Sequence, residues 1–463
     1  MKHDKKRTKI VCTIGPASNQ LPKLKRMITA GMNAARFNFS HGTHADHLKT
    51  LRLVRAAAKV TGEPVTTIAD LQGPKIRVGD IAEKGIKLVK GKTVEFPVTY
   101  KKLCSEVKKG HRILLDDGLL EGKCIGGKPG FLRMKVVNGG TLLPHKGINF
   151  PDSILTISSL TEKDRKDILF IGKHDFDWVA LSFVTHPRDV RLLRKLLAAA
   201  TPKGKTVPRI ITKVEKHEAV KDFDAILKET DGVMVARGDL GIEIPAEKVP
   251  LVQKEIIDKC REAAKPVIVA TQMLDSMIRN PRPTRAEVSD VANAVIDHTD
   301  AVMLSGETAT GKYPVRTVKT MATIITETEA STYDDVPVEE STRFKALVQD
   351  AVSGAANVLA HTVDAKMILV ATLSGEAARM VSRFRPELPI VAATASEKVK
   401  CQLNLSWSVT PTALPRVKGV EELIKHSINR LRKDKMVKKG DRVIILAGQP
   451  VGKKINFVEV KEI

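Results

Sequence analysis

Residues 232–239 read GVMVARGD and give the clearest indication of how the chain folds. A near-continuous run of small and apolar residues stops at a charged Arg-Gly-Asp turn, and such a run predicts a strand covered on both faces. Comparable runs occur at residues 10–14, 34–39, 65–71, 178–184, 210–214, 267–270 and 301–304. Helical patterns lie between them, at residues 22–30, 45–59, 187–200, 249–264 and 285–298. Eight buried strands that alternate with helices predict a (β/α)8 TIM barrel.

Two further regions interrupt or follow this barrel. Residues 74–173 are rich in glycine and lysine and contain short β-like runs, so they predict a small β-barrel lid domain inserted after the third strand. The alternation of helices and strands begins again after residue 335 and predicts a C-terminal α/β regulatory domain. The predicted domains are a catalytic barrel at 1–73 and 174–339, the inserted domain at 74–173 and the C-terminal domain at 340–463.

The composition excludes several classes of protein. The 463 residues are 42% hydrophobic, which is ample for buried cores and excludes a disordered chain. No uncharged apolar run approaches the roughly 20 residues that span a bilayer. The first residues, MKHDKKRTKIVCTIGP, lack the apolar stretch of a secretory signal. The 5 cysteines occur singly, without a CxxC pair, so neither a disulfide framework nor a structural zinc site is indicated. We therefore expect a cytoplasmic protein with reduced thiols.

The formal net charge of +24 favours an anionic partner. The charge is unevenly distributed, because residues 174–339 hold 23 basic and 26 acidic side chains and are therefore net −3. One segment thus concentrates carboxylates within a basic whole. This distribution suits a metal site that receives polyanions better than a face that binds duplex nucleic acid.

Barrel enzymes place their chemistry at the C-terminal ends of the strands, so the residues at which each apolar run stops are candidate site residues. Carboxylates without histidine or thiolate partners are hard oxygen ligands, which Mg²⁺ or Mn²⁺ prefers. Lysine and arginine beside such a metal favour phosphoryl transfer. The alternative is a ring of ordinary ion pairs around the barrel rim. The polar residues at the predicted strand ends are Arg36, Asn38, Ser40, His41, Asp70, Lys213, Glu215, Arg237, Asp239, Thr271 and Glu307.

Three other patterns are better explained by structure than by a site. Residues 306–312 fit GxxxxGK, but Tyr313 follows where a nucleotide-binding P-loop needs Ser or Thr. His41, His44 and His47 recur every third residue, but no companion ligand is evident and zinc is not predicted. The basic run at 430–439 is typical of a solvated helix face.

Seven stretches of the chain resemble signature blocks of the pyruvate kinase family, in the order in which that family carries them. They are KIVCTIGPAS, GMNAARFNFSHG, ADLQGPKIR, MVARGDLGIEIP, ATQMLDSMI, RPTRAEVSDVANAV and DAVMLSGETATGKYP. The resemblance implies transfer of the phosphoryl group of phosphoenolpyruvate to ADP, giving pyruvate and ATP, as the last step of glycolysis. It also implies a mobile lid, a C-terminal effector domain and a homotetramer.

Matching motifs carry the family's roles onto this sequence. By resemblance, Lys213 neutralises the transferring phosphoryl group, and Thr271 lies near the enolate carbon and assists its protonation. Glu215 and Asp239 resemble the divalent-metal ligands, with Mg²⁺ or Mn²⁺ implied. The remaining implied contacts are the substrate phosphate at Arg36, the substrate carboxylate at Gly238, Asp239 and Thr271, and the nucleotide at Asn38, His41, Arg77 and Lys163.

Two departures from the family pattern predict how this chain differs. Lys75 stands where K⁺-requiring members have Glu, and the resemblance is to the K⁺-independent bacterial-type branch. Asn38, Ser40 and Asp70 still match the K⁺-ligand positions, so a vestigial site is implied, and we predict activity without K⁺. The effector loop reads TLSGEA at residues 372–377 instead of the TKSGRS type. We therefore expect fructose 1,6-bisphosphate to bind poorly and another phosphorylated effector to be used.

Three other functions compete with this interpretation. The first is another metal-dependent barrel enzyme acting on phosphoenolpyruvate or pyruvate, which would not need the inserted domain carrying Arg77 and Lys163. The second is a nucleic-acid-binding protein, which the positive charge favours and the scarcity of aromatic stacking residues disfavours. The third is a regulatory pseudo-enzyme, against which the intact candidate residues argue.

Overall fold

A closed eight-stranded parallel barrel forms the centre of the protein in the computed structural model, which describes residues 6–336, 347–414, 419–448 and 454–463. The barrel strands follow one another in the order β1, β15, β14, β13, β12, β11, β3 and β2. This arrangement confirms the predicted TIM barrel. The strands are β1 Lys9–Thr13, β2 Ala34–Asn38, β3 Thr66–Asp70, β11 Trp178–Leu181, β12 Arg209–Val214, β13 Gly232–Ala236, β14 Val267–Ala270 and β15 Ala301–Leu304.

The helices outside the barrel begin and end at recognisable signals. Helix α2 starts with a capping box, in which the Thr43 hydroxyl accepts from the Asp46 amide and the Asp46 carboxylate accepts from the Thr43 amide. The same helix ends at Gly62, whose φ of 75° is the left-handed conformation that glycine adopts without strain. The helices around the barrel are α1 Leu21–Thr29, α2 His44–Thr61, α4 Glu162–Lys173, α5 Pro187–Ala200, α6 His217–Lys221, α7 Phe223–Glu229, α8 Arg237–Glu243, α9 Val249–Glu262, α10 Arg285–Ile296, α11 Gly306–Ala309 and α12 Pro314–Glu329.

The segment between β3 and β11 forms the predicted inserted β domain. Strands β10, β6, β7, β8 and β5 pair in an antiparallel sheet, β4 pairs with β9, and a short helix α3 spans Leu103–Glu106. The predicted range of 74–173 remains a prediction, but its last helix, α4, buries Ile168 and Ile171 in the core of the barrel. The strands are β4 Ile86–Leu88, β5 Thr93–Pro97, β6 Arg112–Leu115, β7 Leu120–Lys128, β8 Phe131–Asn138, β9 Gly140–Leu142 and β10 Ile148–Asn149.

The C-terminal domain is a five-stranded sheet in the order β18, β17, β16, β19 and β20, with helices packed on it. All neighbours are parallel except β19 and β20. The predicted start of this domain at residue 340 lies outside the described residues. No helix in the described part of the chain could cross a membrane. The elements are α13 Val348–Thr362, β16 Met367–Ala371, α14 Glu376–Ser382, β17 Ile390–Thr394, α15 Glu397–Leu403, β18 Val409–Ala413, α16 Val420–Lys433, β19 Arg442–Ala447 and β20 Phe457–Glu462.

Candidate active site

Three buried charges meet at the C-terminal mouth of the barrel. Strand β3 ends at Asp70, which is 1% exposed, and β12 carries Lys213 close to its end. The Lys213 ammonium Nζ lies 2.6 Å from Glu215 Oε1 and 3.5 Å from Asp70 Oδ1. One lysine therefore stands between two carboxylates that come from different strands.

Arg36, near the end of β2, completes this arrangement. Its Nε donates to Asp70 Oδ2 at 2.6 Å, and one terminal nitrogen donates to the Thr13 hydroxyl at 2.9 Å. The guanidinium is thus oriented by the ends of β1 and β3. Together with Lys213 it gives the mouth two cations beside the Asp70 carboxylate.

The pKa values of these groups shift in opposite directions. Burial alone would raise the pKa of Asp70, but Lys213 and Arg36 outweigh burial and lower it. The pKa of Lys213 is raised, because the attraction of Asp70 and Glu215 exceeds the effect of its own burial. The pKa of Glu215 is raised by burial, and the neighbouring Asp239 carboxylate adds to this effect. Lys213 is therefore a permanent cation, and Glu215 lies between this cation and the Asp239 carboxylate.

Glu215 and Asp239 are the pair in this mouth that fits a divalent metal. Glu215 Oε2 accepts from the Phe183 amide at 2.9 Å, which fixes the carboxylate. Asp239 lies in the first turn of α8 and lines the cleft between barrel and inserted domain. A buried carboxylate and a half-buried one that are close enough to repel each other are a suitable donor set for Mg²⁺ or Mn²⁺.

Thr271 and Gly238 are joined by a hydrogen bond at the ends of β14 and β13. The Gly238 amide donates to Thr271 Oγ1 at 2.8 Å, and the Thr271 hydroxyl donates to the Ala270 carbonyl at 2.5 Å. Thr271 and Gln272 have φ values of 74° and 54°, which are unusual for residues with side chains. Arg237 supports the turn through a two-pronged ion pair with Asp290 at 2.6 and 2.7 Å. Backbone strain at a strand end of this kind is typical of functional sites.

The residues predicted to contact a nucleotide are only partly brought together. Lys163 Nζ donates to the Phe39 carbonyl at 2.6 Å and to Asp167 Oδ2 at 2.7 Å, which brings it to the end of β2. Asn38 Oδ1 accepts from the Ser40 amide at 3.1 Å, and His41 follows as an exposed residue. Arg77, in contrast, donates to the His145 carbonyl at 2.9 Å within the inserted domain.

Lys75 lies in the cleft between the inserted domain and the barrel. It lines a cavity of about 1030 Å³ together with Arg237, Gly238, Asp239 and Gln272. The ammonium-bearing side chain of Lys75 therefore lines the same cavity as the Asp239 carboxylate. A cleft of this volume has room for substrates the size of a nucleotide.

Two strand-end residues differ from expectation. Glu307 does not offer a free carboxylate, because its oxygens accept from the Ser305 amide at 2.7 Å and the Leu274 amide at 3.2 Å. Ser182, which directly follows β11 and was not among the predicted site residues, belongs to the site. Its hydroxyl accepts from Lys213 Nζ at 2.9 Å and donates to the Leu71 carbonyl at 2.8 Å. A single serine directly after an apolar run was the only signal in the sequence.

Comparisons with known proteins agree with this geometry. Residues 5–318 match the family model described as "Pyruvate kinase, barrel domain", and residues 350–461 match "Pyruvate kinase, alpha/beta domain". A pyruvate kinase of Geobacillus stearothermophilus is 45% identical over 463 residues, covering 97% of this chain and 78% of the relative. A pyruvate kinase of Clostridium acetobutylicum is 42% identical, covering 96% of each chain. The crystal structure of a pyruvate kinase from Cryptosporidium parvum superposes with a TM-score of 0.93 at 36% identity, covering 100% of this chain and 97% of that one.

Proposed function

The chain belongs to the pyruvate kinase family of phosphotransferases, and we propose that its barrel mouth transfers the phosphoryl group of phosphoenolpyruvate to ADP with Lys213, Arg36 and Thr271 as catalytic residues. The observation that carries this assignment is the Lys213 ammonium, held 2.6 Å from Glu215 and 3.5 Å from Asp70 at the strand ends. A fixed cation beside carboxylates is the arrangement that stabilises a phosphoryl group in transit.

Lys213 offsets the charge that develops on the phosphoryl oxygens. Its raised pKa keeps it protonated throughout the working pH range, because two buried carboxylates attract the proton. The Ser182 hydroxyl fixes the direction of Nζ. Preorganised charge of this kind costs no reorganisation when the phosphoryl group leaves the enol oxygen.

Glu215 and Asp239 would hold a divalent cation, which the family generally uses as Mg²⁺. Such an ion, when bound, neutralises phosphoryl oxygens and orients substrate. Burial, with the added repulsion of Asp239, raises the pKa of Glu215, and a bound cation would offset both effects. The chain's own contribution is the Phe183 amide, which keeps the Glu215 carboxylate in one orientation.

The substrate carboxylate and phosphate have separate donors. Arg36 would bind the phosphate of phosphoenolpyruvate, since its guanidinium is already aligned by Asp70 and Thr13. The amides of Gly238 and Asp239, in the first turn of α8, would bind the carboxylate, and the Gly238 amide would exchange its present acceptor, Thr271 Oγ1, for the substrate. Thr271 Oγ1 would lie beside the enolate and pass a proton to its carbon through water.

The nucleotide would enter from the side of the inserted domain. Asn38, His41 and Lys163 at the end of β2 would contact its phosphates. Arg77 would join them when the inserted domain closes over the barrel, because it belongs to that domain. Closure would also exclude water, which otherwise competes for the phosphoryl group.

We further propose that Lys75 replaces K⁺. It supplies a fixed ammonium in the cleft that Gly238 and Asp239 line. Asn38, Ser40 and Asp70 would then remain as a vestigial cation site.

A phosphorylated effector other than fructose 1,6-bisphosphate would bind in the C-terminal domain, in a cytoplasmic homotetramer. The loop 372–377 lines a cavity of about 1100 Å³, and Arg194, Arg209 and Lys454 stand in the same wall. Glu376 in this loop disfavours a second phosphate close to it. Titration of activity with sugar monophosphates and with fructose 1,6-bisphosphate tests this part, and clear activation by the bisphosphate would contradict it.

A coupled assay of pyruvate formation tests the main proposal. The assay contains phosphoenolpyruvate, ADP and Mg²⁺, with ADP or Mg²⁺ omitted in parallel. We expect pyruvate formation that requires both, with ATP formed in equal amount. Pyruvate formation that does not need ADP would point instead to another barrel enzyme acting on phosphoenolpyruvate.

A further inference from the structure

A second group of potential metal ligands lies next to the mouth, where the inserted domain meets the barrel. His217 Nδ1, Glu218 Oε2 and Glu243 Oε2 all lie within 4.8 Å of one another. The imidazole nitrogen is 3.2 Å from the Glu218 oxygen and 3.5 Å from the Glu243 oxygen. These separations leave room for an ion at ordinary coordination distances of about 2.0–2.2 Å from each atom.

The three atoms are buried and converge without satisfying one another. None of them is in contact with solvent, and none has a hydrogen-bond partner among the described residues. The Glu243 side chain is fully buried, with an exposed fraction of 0%. A buried carboxylate oxygen with no donor is costly, so an occupant at the centre of the group would relieve the cost at three atoms together.

The neighbouring contacts leave the free oxygen of Glu243 available. Its other oxygen, Oε1, accepts from Lys216 Nζ at 2.9 Å and from Asn149 Nδ2 at 2.9 Å. Lys216 offsets only one of the two carboxylate charges in the group. The carboxylate is therefore held in place through Oε1 while Oε2 faces the imidazole.

Solvent can complete such a site. Glu218, Lys216 and Asn149 line a cavity of about 40 Å³ between the inserted domain and the barrel. A space of roughly 10–15 Å³ is enough to hold one water molecule. Glu218 is the member of the group that lines this cavity, so a metal held by the three atoms would have space for a water ligand next to Glu218.

We propose that His217, Glu218 and Glu243 form a second metal site, distinct from the Glu215–Asp239 pair, for a divalent first-row transition ion of the Zn²⁺ or Co²⁺ type. One imidazole nitrogen with two carboxylate oxygens suits these ions better than Mg²⁺, which prefers oxygen ligands alone. Because Asn149 of β10 bonds to Glu243, an ion there also fastens the inserted domain to the barrel. The proposal does not depend on the reaction assigned above.

Binding of Co²⁺ to the full chain in a large excess of Mg²⁺ tests this site, since the excess saturates sites built from oxygen alone. We expect one Co²⁺ per chain to be retained, with imidazole scattering in its X-ray absorption spectrum. Glu218→Gln should lower the Co²⁺ affinity at least about tenfold, as loss of a ligand or its support does. The matched control Glu247→Gln, an exposed glutamate nearby, should leave the affinity unchanged.

Two further variants separate this site from the mouth and from other histidines. Asp239→Asn should keep the Co²⁺ and its imidazole signal, whereas His217→Gln should remove that signal. Loss of the Co²⁺ in Asp239→Asn, or its retention in both His217→Gln and Glu218→Gln, would overturn the proposal. Absence of bound Co²⁺ in the wild type would also overturn it.

Discussion

The two ends of the barrel both bury ion pairs, but they use them differently. At the end that faces the C-terminal domain, Arg385 pairs with Asp300 at 2.9 Å, and its other nitrogens donate to the His298 and Ser382 carbonyls. Asp300 in turn accepts from the Trp407 amide at 2.9 Å and the Val267 amide at 3.2 Å. Arg385 thus forms an ion pair with a single carboxylate, that of Asp300, and both side chains also form hydrogen bonds to backbone groups.

The mouth of the barrel lacks this one-to-one match. Lys213 is shared between Asp70 and Glu215, and Glu215 is repelled by Asp239. A cleft of about 1030 Å³ opens beside these charges, whereas the cavity that Arg385 and Asp300 line measures about 10 Å³. Carboxylates that share one cation beside a large opening indicate a ligand site, whereas a carboxylate with its own cation and two backbone donors indicates a structural ion pair.

Removal of the Lys213 ammonium should have the largest effect on activity and should distinguish the two ends of the barrel. Lys213→Met is expected to lower kcat by about 10³-fold, because the phosphoryl group loses its fixed cation. Steady-state kinetics of pyruvate formation measure the loss. Arg385→Met serves as the matched control, since it deletes a buried cation at the opposite end. Equal losses of kcat in the two folded variants would contradict the contrast.

The same Arg385→Met variant should show its effect in stability instead. Deleting the guanidinium leaves Asp300 buried without its counter-ion, and we expect the free energy of unfolding to fall by about 3–5 kcal/mol. Urea denaturation followed by circular dichroism measures the change. A variant as stable as the wild type would mean that the Arg385–Asp300 ion pair does not stabilise the fold.

Substitution of Thr271 should have an intermediate effect, on the binding of phosphoenolpyruvate at the mouth of the barrel. Thr271→Val keeps the shape and the strained backbone but leaves the Gly238 amide without its acceptor. We expect the KM for phosphoenolpyruvate to rise about tenfold, the cost of one buried hydrogen bond. Thr271→Ser, which restores the hydroxyl, should recover most of the loss. An unchanged KM in the valine variant would remove Thr271 from the substrate site.

Acid should lower the free energy of unfolding, because protonation of Asp70 removes its ion pairs at the mouth of the barrel. The pKa of Asp70 is lowered in the folded state, so its contribution to stability is complete above its unfolded pKa of about 3.9. That contribution is lost as pH falls through the lower, folded pKa. The free energy of unfolding should therefore fall more steeply between pH 4 and pH 2, roughly, in the wild type than in Asp70→Asn. Parallel curves for the two proteins would contradict the ionic role of Asp70.

Replacement of K⁺ by another monovalent cation should have the smallest effect on turnover. The wild type should keep its turnover when K⁺ is replaced by Na⁺ or tetramethylammonium, because Lys75 already supplies the charge. Lys75→Glu should become dependent on K⁺. A large fall in wild-type turnover without K⁺ would leave the reaction assignment intact and remove the role of Lys75.

The sequence predicted the fold well because the barrel strands are buried on both faces and appear as near-continuous apolar runs. It predicted the strand-end positions of Lys213, Glu215 and Asp70 for the same reason, since the end of each run marks the mouth. It could not show which strand-end side chains face the cavity. Glu307 turns back to cap local amides, whereas Ser182 reaches Lys213, and the difference depends on backbone geometry that spacing does not encode.

The sequence also could not predict contacts between residues that are far apart along the chain. Glu243 meets Asn149 across 94 residues, and the two segments come together only when the inserted domain packs on the barrel. The convergence of His217, Glu218 and Glu243 follows instead from the pairing of β12 with β13, because these residues lie in the helices that follow the two strands. In the sequence, Glu243 is distant from the adjacent pair His217 and Glu218, so no metal-binding motif marks the three residues.

Binding of Mn²⁺ to two variants tests the central claim most directly, namely that Glu215 and Asp239 at the mouth form the metal site. Glu215→Gln and Asp300→Asn each neutralise one buried carboxylate, at opposite ends of the barrel. Electron paramagnetic resonance of free Mn²⁺ gives the affinity of each folded variant. We expect Glu215→Gln to lose the Mn²⁺ that supports turnover and Asp300→Asn to bind it as tightly as the wild type. Equal affinities in Glu215→Gln and the wild type would contradict the account.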